Sequence, residues 1–232
     1  MVSVEQIRKV YGETVALDIE KLHIPKGESF GLVGNNGAGK TTMFRCLLDL
    51  IKPDAGKCSL KDIDVSKSED WKYFTGSYLD ERFLIDFLTA EEYFHFIGRL
   101  HGLSKEEVDE FVDQFEGFFN DEILGKGKYV RDFSKGNQKK IGIVAALIGS
   151  PEILILDEPF ANLDPSTQIR LKNLLKKLKE EREVTMIISS HDLSHVAEVS
   201  ERIVVLEHGK IVHDIQKTEN TLKDLESYFA AE

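Results

Sequence analysis

The stretch Gly34-Asn-Asn-Gly-Ala-Gly-Lys-Thr-Thr42 decides the fold of this chain, because it fits the phosphate-binding pattern G-x-x-x-x-G-K-[ST] at every fixed position. The run Ser29–Val33 before it predicts a short buried strand, and the apolar residues from Met43 to Ile51 after it predict a helix. A strand, a glycine turn and a helix start direct backbone N–H groups and the helix dipole towards an anion. The sequence therefore predicts an α/β fold with a phosphate site at this turn.

The side chains of the loop indicate which phosphates it binds. We expect Lys40 to lie on the β- and γ-phosphates of a nucleotide and the hydroxyl of Thr41 to ligate Mg²⁺. The predicted nucleotide-binding residues of the loop are Asn35, Asn36, Gly37, Ala38, Gly39, Lys40, Thr41 and Thr42. The loop identifies a nucleotide but does not say what the nucleotide is used for.

Two carboxylates follow a second apolar run, Ile153–Leu156, which predicts a strand buried on both faces. Ligands bind at the carboxyl ends of strands in an open α/β sheet, so Asp157 is predicted to hold Mg²⁺. Glu158 is then placed to polarise the water that attacks the γ-phosphate. The alternative is a pair of acidic residues in a solvated loop.

Three further segments carry residues with both a functional and a structural interpretation. Ile187–His191 predicts a strand that ends in a histidine at the same sheet edge, although a single histidine is often structural. Ser134 and Gly136 open a predicted helix whose free N–H groups form an anion site, or an ordinary cap. Ala161–Pro165 supplies a cap and a first-turn proline for the next helix.

Together these segments resemble the ATP-binding subunit of an ABC transporter, from about Val2 to Gln216. The corresponding motifs are Walker A at Gly34–Thr42, the signature loop at Phe133–Gln138, Walker B at Ile153–Glu158, the D-loop at Ala161–Asp164 and the switch histidine His191. The resemblance implies a P-loop NTPase core, a mixed β-sheet flanked by helices, with an inserted α-helical subdomain. We expect a single domain, with residues 1–80 and 151–232 forming the α/β core and residues 81–150 the helical subdomain.

The resemblance also implies an activity and partners. The expected activity is hydrolysis of ATP with Mg²⁺, with Glu158, His191 and Asp80 as catalytic residues. The expected partners are a second ATPase subunit, arranged head-to-tail so that each chain presents Ser134 to its neighbour's γ-phosphate, and a separate transmembrane permease. Tyr11 resembles the family's A-loop aromatic and would stack on adenine; the alternative is an aromatic of an edge strand in the core.

Two motifs depart from the usual family pattern. The loop between the lobes usually contains Gln, but Ser77–Arg82 contains none and resembles the Leu-Pro-Glu-Glu-Arg variant of ABC-2-type exporters. Asp80 is predicted to take the place of Gln as a Mg²⁺ ligand, with Glu81 as the alternative. The signature loop carries Lys135 and Asn137 in place of Gly and Gln.

Composition is compatible with this interpretation. The chain has 232 residues, is 41% hydrophobic and has a net charge of −11, which argues against nucleic acid as a partner. It has no apolar stretch of eighteen residues and no secretory signal at its start, so we expect a cytoplasmic protein held at the membrane by the permease. Cys46 and Cys58 lack metal-ligand spacing and are expected to be reduced and buried.

Three interpretations remain open at this point. Besides transport, the chain could be a soluble ABC ATPase that acts on ribosomes or DNA, or a nucleotide-binding regulator without turnover. For the transport interpretation, three large apolar residues in the loop between the lobes, Phe83, Leu84 and Phe87, are predicted to contribute to a groove that accepts the permease.

Overall fold

The computed structural model describes residues 1–230. Its strands are β1 (Val2–Tyr11), β2 (Thr14–Ile24), β3 (Ser29–Val33), β4 (Ala55–Leu60), β5 (Ile63–Asp64), β6 (Thr75–Tyr78), β7 (Ile153–Leu156), β8 (Thr185–Ser190), β9 (Arg202–Glu207) and β10 (Lys210–Gln216). Its α-helices are α1 (Lys40–Leu47), α2 (Ala90–Leu100), α3 (Lys105–Asp113), α4 (Glu116–Phe119), α5 (Lys135–Leu147), α6 (Pro165–Arg182), α7 (Leu193–Val199) and α8 (Thr221–Ala230). Short 3-10 turns occur at Asp70–Phe74, Glu81–Phe83 and Val130–Asp132.

The strands form two sheets. The larger has the order β10-β9-β3-β8-β7-β6, with parallel pairing from β9 to β6 and an antiparallel hairpin at β10. This confirms the predicted mixed sheet flanked by helices. A second, antiparallel sheet with the order β2-β1-β4-β5 was not predicted as a separate layer. In it Val2 lies opposite Ile24 on one side and Leu60 on the other.

The alternation of side chains along β7 explains how the larger sheet is covered on both faces. Ile153 and Ile155 pack with the antiparallel sheet and α1, whereas Leu154 and Leu156 pack with helices such as α5 and α6. All four residues of β7 are fully buried. Successive residues of a strand point to opposite faces, so an unbroken apolar run fits a strand with protein on both sides.

The helices between β6 and β7 begin where their capping residues place them. Thr89 and Ser104 each accept a hydrogen bond from the N3 amide, and the carboxylates of Glu92 and Glu107 accept one from the backbone N–H of the cap residue. The sequence patterns Thr89-x-x-Glu92 and Ser104-x-x-Glu107, which are typical of capping boxes, therefore form them here. Two residues of this region, Phe94 and Phe119, are fully buried and stack with their ring centroids 5.9 Å apart.

One helix is shorter than the sequence predicted. The helix predicted from Met43 to Ile51 is α1, which ends at Leu47, so Ile51 lies beyond it. At the other end of the chain, α8 runs to Ala230, and residues 231 and 232 of the predicted core lie outside the described residues. Among residues 1–230, none of the helices has the length and apolar character needed to cross a membrane.

Candidate nucleotide-binding and hydrolysis site

The predicted phosphate loop connects β3 to α1 and keeps its backbone close to a neighbouring strand. A Cβ on Gly34 would lie 2.2 Å from the carbonyl oxygen of Leu206, so no other residue fits there. Gly39 has a φ of 110° and is the N-cap of α1 without a side-chain cap. Because the first-turn amides of a helix have no intrahelical partner, this end of α1 presents free N–H groups to an anion.

The ammonium of Lys40 lies under this loop. Its Nζ donates to the carbonyl oxygen of Gly34 at 2.6 Å and to that of Asn35 at 3.4 Å. The side chain is only 6% exposed, and it also forms an ion pair with Oε1 of Glu158 at 3.4 Å. The predicted phosphate-binding lysine and the predicted general base are therefore neighbours.

Asp157 lies at the end of β7, where two hydroxyl groups bind its carboxylate. Thr41 Oγ1 donates to Oδ2 at 2.6 Å, and the hydroxyl of Ser189 donates to Oδ1. Burial raises the pKa of Asp157, and the two hydroxyl hydrogen bonds oppose that shift. A buried carboxylate beside a threonine hydroxyl is an oxygen donor set that suits Mg²⁺, which usually keeps several waters and takes one or two carboxylates.

Glu158 is bound by His191 and Ser189 and forms an ion pair with Lys40. Its Oε2 lies 2.8 Å from Nδ1 of His191, so an imidazole N–H donates to the carboxylate, and its backbone N–H donates to Ser189 Oγ at 2.9 Å. Its φ of 46° lies in the left-handed region, which is uncommon for a residue other than glycine. Its Oε1 is buried and lacks a hydrogen-bond partner among residues 1–230, so an acceptor faces the Lys40 ammonium.

Ser134 and Gly136 lie in a different depression. Ser134 is exposed and is the N-cap of α5, accepting a hydrogen bond from the Asn137 amide at 3.3 Å. The depression around these two residues is lined by Asn162 and Asp164, and no residue of the phosphate loop lines it. The structure therefore brings together Lys40, Thr41, Asp157, Glu158 and His191 and leaves Ser134 and Gly136 apart from them.

Tyr11 lies at the end of β1, and 48% of its surface is exposed. This exposure excludes the alternative of a core aromatic. The ammonium of Lys9 lies 5.5 Å from the centroid of its ring.

The carboxylate of Asp80 is bound by Arg82 and not by Thr41 or Asp157. Both of its carboxylate oxygens accept hydrogen bonds from the Arg82 side chain, at 2.8 and 2.7 Å. The Arg82 hydrogen bond holds the pKa of Asp80 below its usual range. Glu81 forms an ion pair with Lys135 of the signature loop, at 2.8 Å. The predicted role of Asp80 as a metal ligand stays a prediction, and it requires Arg82 to release the carboxylate.

Two residues of the site were not predicted from the sequence. Ser189 joins Asp157 to Glu158, and the ammonium of Lys139 donates to the backbone carbonyls of Glu158 and Ala161, both at 2.7 Å. Ser189 belongs to the fully buried strand β8, and a buried hydroxyl needs a partner. Lys139 directly precedes a fully buried stretch of α5, a position at which a lysine is unusual.

The fold and the site define a P-loop nucleotide-binding protein of the α/β class. The family model described as ABC transporter matches residues 17–161. The bacitracin transport ATP-binding protein BcrA of Enterococcus faecalis is 33% identical over 225 residues, covering 94% of this chain and 70% of that protein. The methionine import ATP-binding protein MetN 1 of Bacillus cereus is 30% identical and covers 97% of this chain and 66% of that protein.

The solved structures show the same relationship. A dimeric structure of the ATP-binding cassette MJ0796, in a post-hydrolysis state bound to ADP and Pi, superposes with a TM-score of 0.84 and 28% identity. The match covers 93% of this chain and 98% of that one. The chain belongs to the ABC transporter family, and it is an ATP-binding subunit with ATPase activity.

Proposed function

We propose that this chain is the motor of an ABC exporter, hydrolysing Mg-ATP at the interface of a head-to-tail dimer and driving transport through a separate permease. One observation carries the hydrolytic part: Glu158 lies between the Lys40 ammonium and the His191 imidazole. A carboxylate in this position can accept a proton from water next to the phosphates that Lys40 binds. The relatives do not decide the direction of transport, because they include a methionine importer as well as a bacitracin transport protein. Export is favoured instead by the loop Ser77–Arg82, which resembles the variant of ABC-2-type exporters.

Each residue of the site then has a separate task. Lys40 and the first-turn amides of α1 bind the β- and γ-phosphates, with Tyr11 against the adenine. Glu158 accepts the proton of the attacking water, and His191 orients the carboxylate. Thr41 and Asp157 would hold Mg²⁺, which when bound neutralises charge on the β- and γ-phosphate oxygens.

The separation of Ser134 from the phosphate loop supports the dimer. Ser134 is exposed, and its depression is not lined by the phosphate loop, so one chain does not place both on the same ATP. Two chains related by a two-fold axis can, each giving its α5 N-terminus to the γ-phosphate bound by the other. The similar MJ0796 cassette is dimeric, which supports a dimer of this chain.

The test is ATP hydrolysis measured together with dimerisation, for wild type and Glu158→Gln. We expect Glu158→Gln to lower the hydrolysis rate by roughly 100-fold or more, the effect of losing a general base, and to accumulate as an ATP-bound dimer. Full turnover by Glu158→Gln would remove Glu158 from the role. Tight ATP binding with neither dimer nor turnover, in wild type and with the permease present, would favour a regulator instead of a motor.

The permease is proposed to dock at an apolar groove between the lobes. Phe83 and Leu84 line this groove together with Tyr93 and Ile97, whereas Phe87 is 63% exposed and does not line it. The proposed helical subdomain, residues 81–150, supplies one wall. A permease docked in this groove would attach the chain to a membrane, and we propose that the chain lies on its cytoplasmic face.

Alanine substitutions test this docking surface. We expect Phe83→Ala to weaken assembly with the permease by roughly 10-fold, the range for losing an aromatic anchor, with Phe87→Ala having a smaller effect. ATP binding by the isolated chain should not change. Tyr73→Ala is the matched control, because Tyr73 is 71% exposed and lies outside the groove. Equal assembly of Phe83→Ala and wild type would exclude this surface.

A further inference from the structure

We propose that Lys139 is a positioning residue for hydrolysis, because its ammonium fixes the turn that carries Glu158. Lys139 lies in α5, the helix that begins next to Ser134, and it reaches across to the loop that follows β7. The inference rests on the proposed role of Glu158 as the general base, and it adds a residue that acts through Glu158 without touching ATP.

The geometry of the turn carries this inference. Lys139 Nζ donates to the carbonyl oxygens of Glu158 and Ala161, which are the first and last residues of a four-residue turn. Both distances are 2.7 Å, whereas the backbone bond that closes the turn, from the Ala161 amide to the Glu158 carbonyl, is 3.3 Å. Hydrogen bonds from an ammonium are shorter and stronger than neutral ones, so Lys139 contributes more to this turn than its own backbone bond does.

The backbone of Glu158 needs such support. Its φ of 46° lies in the left-handed region, where a side chain with a Cβ is strained, and such residues persist only where their surroundings hold them. Ser189 binds the N–H of Glu158 and Lys139 binds its carbonyl oxygen. Because both sides of the residue are fixed, its carboxylate stays directed at Lys40 and His191.

A lysine at this position has a cost in stability that favours a functional explanation. Its side chain is buried, with 6% exposed, and burial of an ammonium disfavours folding unless partners compensate. Burial lowers the pKa of Lys139, while the carboxylates of Glu81, Glu158, Asp157 and Asp80 oppose that shift. An apolar residue would fill the same place in α5 without this penalty, but it would remove the short ammonium bond from both carbonyl groups and leave that of Glu158 with only the 3.3 Å bond from the Ala161 amide.

The experiment compares Lys139→Met, which removes the donor, with Lys139→Gln, which keeps a shorter one. We expect Lys139→Met to lower kcat by roughly 10- to 100-fold, as misplacement of a reacting group does, with KM for ATP unchanged within about two-fold. Lys139→Gln should recover part of kcat. Hydrogen exchange of the amides in residues 157–164 should be faster in Lys139→Met, which reports the position of the turn without any need for turnover.

Lys179→Met is the control for losing a lysine that donates to a backbone carbonyl. Lys179 lies in α6 and donates to the carbonyl oxygen of Gly27, away from the site. The kcat of Lys179→Met should therefore stay at the wild-type value. A wild-type kcat with wild-type exchange in Lys139→Met overturns the inference, and so does a loss confined to KM. If Lys139→Met does not fold, Lys139→Gln is judged by the same kcat and exchange criteria.

Failure of the inference differs from failure of the proposed function. An inactive Glu158→Gln together with a fully active Lys139→Met would overturn only the positioning role of Lys139. A fully active Glu158→Gln would overturn the role of Glu158 and with it the kinetic part of this inference.

Discussion

The nucleotide pocket and the surface around the signature loop are built in different ways. In the pocket, the Lys40 side chain is 6% exposed and Asp157 is 5% exposed, and both are bound by groups from other segments of the chain. Around the signature loop, Lys135 and Arg82 have side chains that are 65% and 75% exposed, and each pairs with one carboxylate nearby. One region is organised by the interior of a single chain, and the other is a surface.

This difference sets the size of the effects that substitutions can have. Removing one partner of a buried, hydrogen-bonded charge leaves the other unpaired, at a cost of about 3–5 kcal/mol. An exposed ion pair contributes about 0–1 kcal/mol, because water solvates both charges and salt screens them. The chain alone therefore holds the pocket in place, whereas its exposed ion pairs fix the signature surface only weakly.

The largest expected effect is that of Lys40→Ala on ATP binding. The variant loses the charged donor at the phosphates, and charge-assisted hydrogen bonds contribute enough to weaken binding by roughly 100-fold or more. The dissociation constant for ATP can be measured by calorimetry. Lys61→Ala is the matched control, since Lys61 forms an ion pair with Glu152 outside the site and should bind ATP as wild type does. If Lys40→Ala kept wild-type affinity, the pocket would not bind phosphates through this lysine.

The pocket is also the region that the sequence predicted best. A strand, a glycine turn and a helix start are local features, and Ser29–Val33, Lys40 and Thr41 lie where the pattern placed them. The strand Ile153–Leu156 was predicted from its unbroken apolar run, and the two faces of the larger sheet confirm it. These elements are defined by periodicity and by a fixed motif, both of which a single sequence contains.

Long-range pairings were less predictable. The antiparallel sheet depends on β1 meeting β4 across about fifty residues of chain, and Ala55–Leu60 has no clear alternation to indicate a strand. Lys139 and Ser189 became part of the site only through contacts between segments distant in sequence. Asp80 was placed by analogy with a family position, but its local partner Arg82 decides where its carboxylate points.

The second prediction tests whether Asp80 acts in the nucleotide pocket or only at the exposed surface around the signature loop. If Asp80 moves into the pocket and ligates Mg²⁺, Asp80→Asn should raise the Mg²⁺ concentration for half-maximal ATPase activity by roughly 10-fold, the lower range for losing a supporting group of a metal site. Arg82→Ala frees the carboxylate and should lower that concentration or leave it unchanged. The measurement is ATPase activity against Mg²⁺ concentration, with Glu81→Gln as the test of the neighbouring alternative.

One result of this titration would contradict the role of Asp80 as a metal ligand. If Asp80→Asn and Arg82→Ala behave alike, the two residues act only as a pair with each other. Asp80 would then belong to the exposed region, and the pocket would take its metal ligands from Thr41 and Asp157 alone.

The smallest expected effect is that of breaking the ion pair between Glu81 and Lys135. The two side chains are 27% and 65% exposed, so water solvates both charges and the pair contributes little to stability. Glu81→Gln should therefore lower Tm by less than about 4 °C. The Lys135 hydrogen bond lowers the pKa of Glu81. A lowered folded pKa means that the stabilisation is complete at neutral pH, declines below the ordinary glutamate value of roughly 4.3 and is lost below the folded pKa. Calorimetry of both chains at pH 7 and pH 3 measures this, and the difference in Tm should be smaller at pH 3 than at pH 7. A difference that is as large at pH 3 as at pH 7, or that is unchanged in high salt, would mean that Glu81 acts through packing instead of charge, and the signature surface would then be organised by the chain itself, as the pocket is.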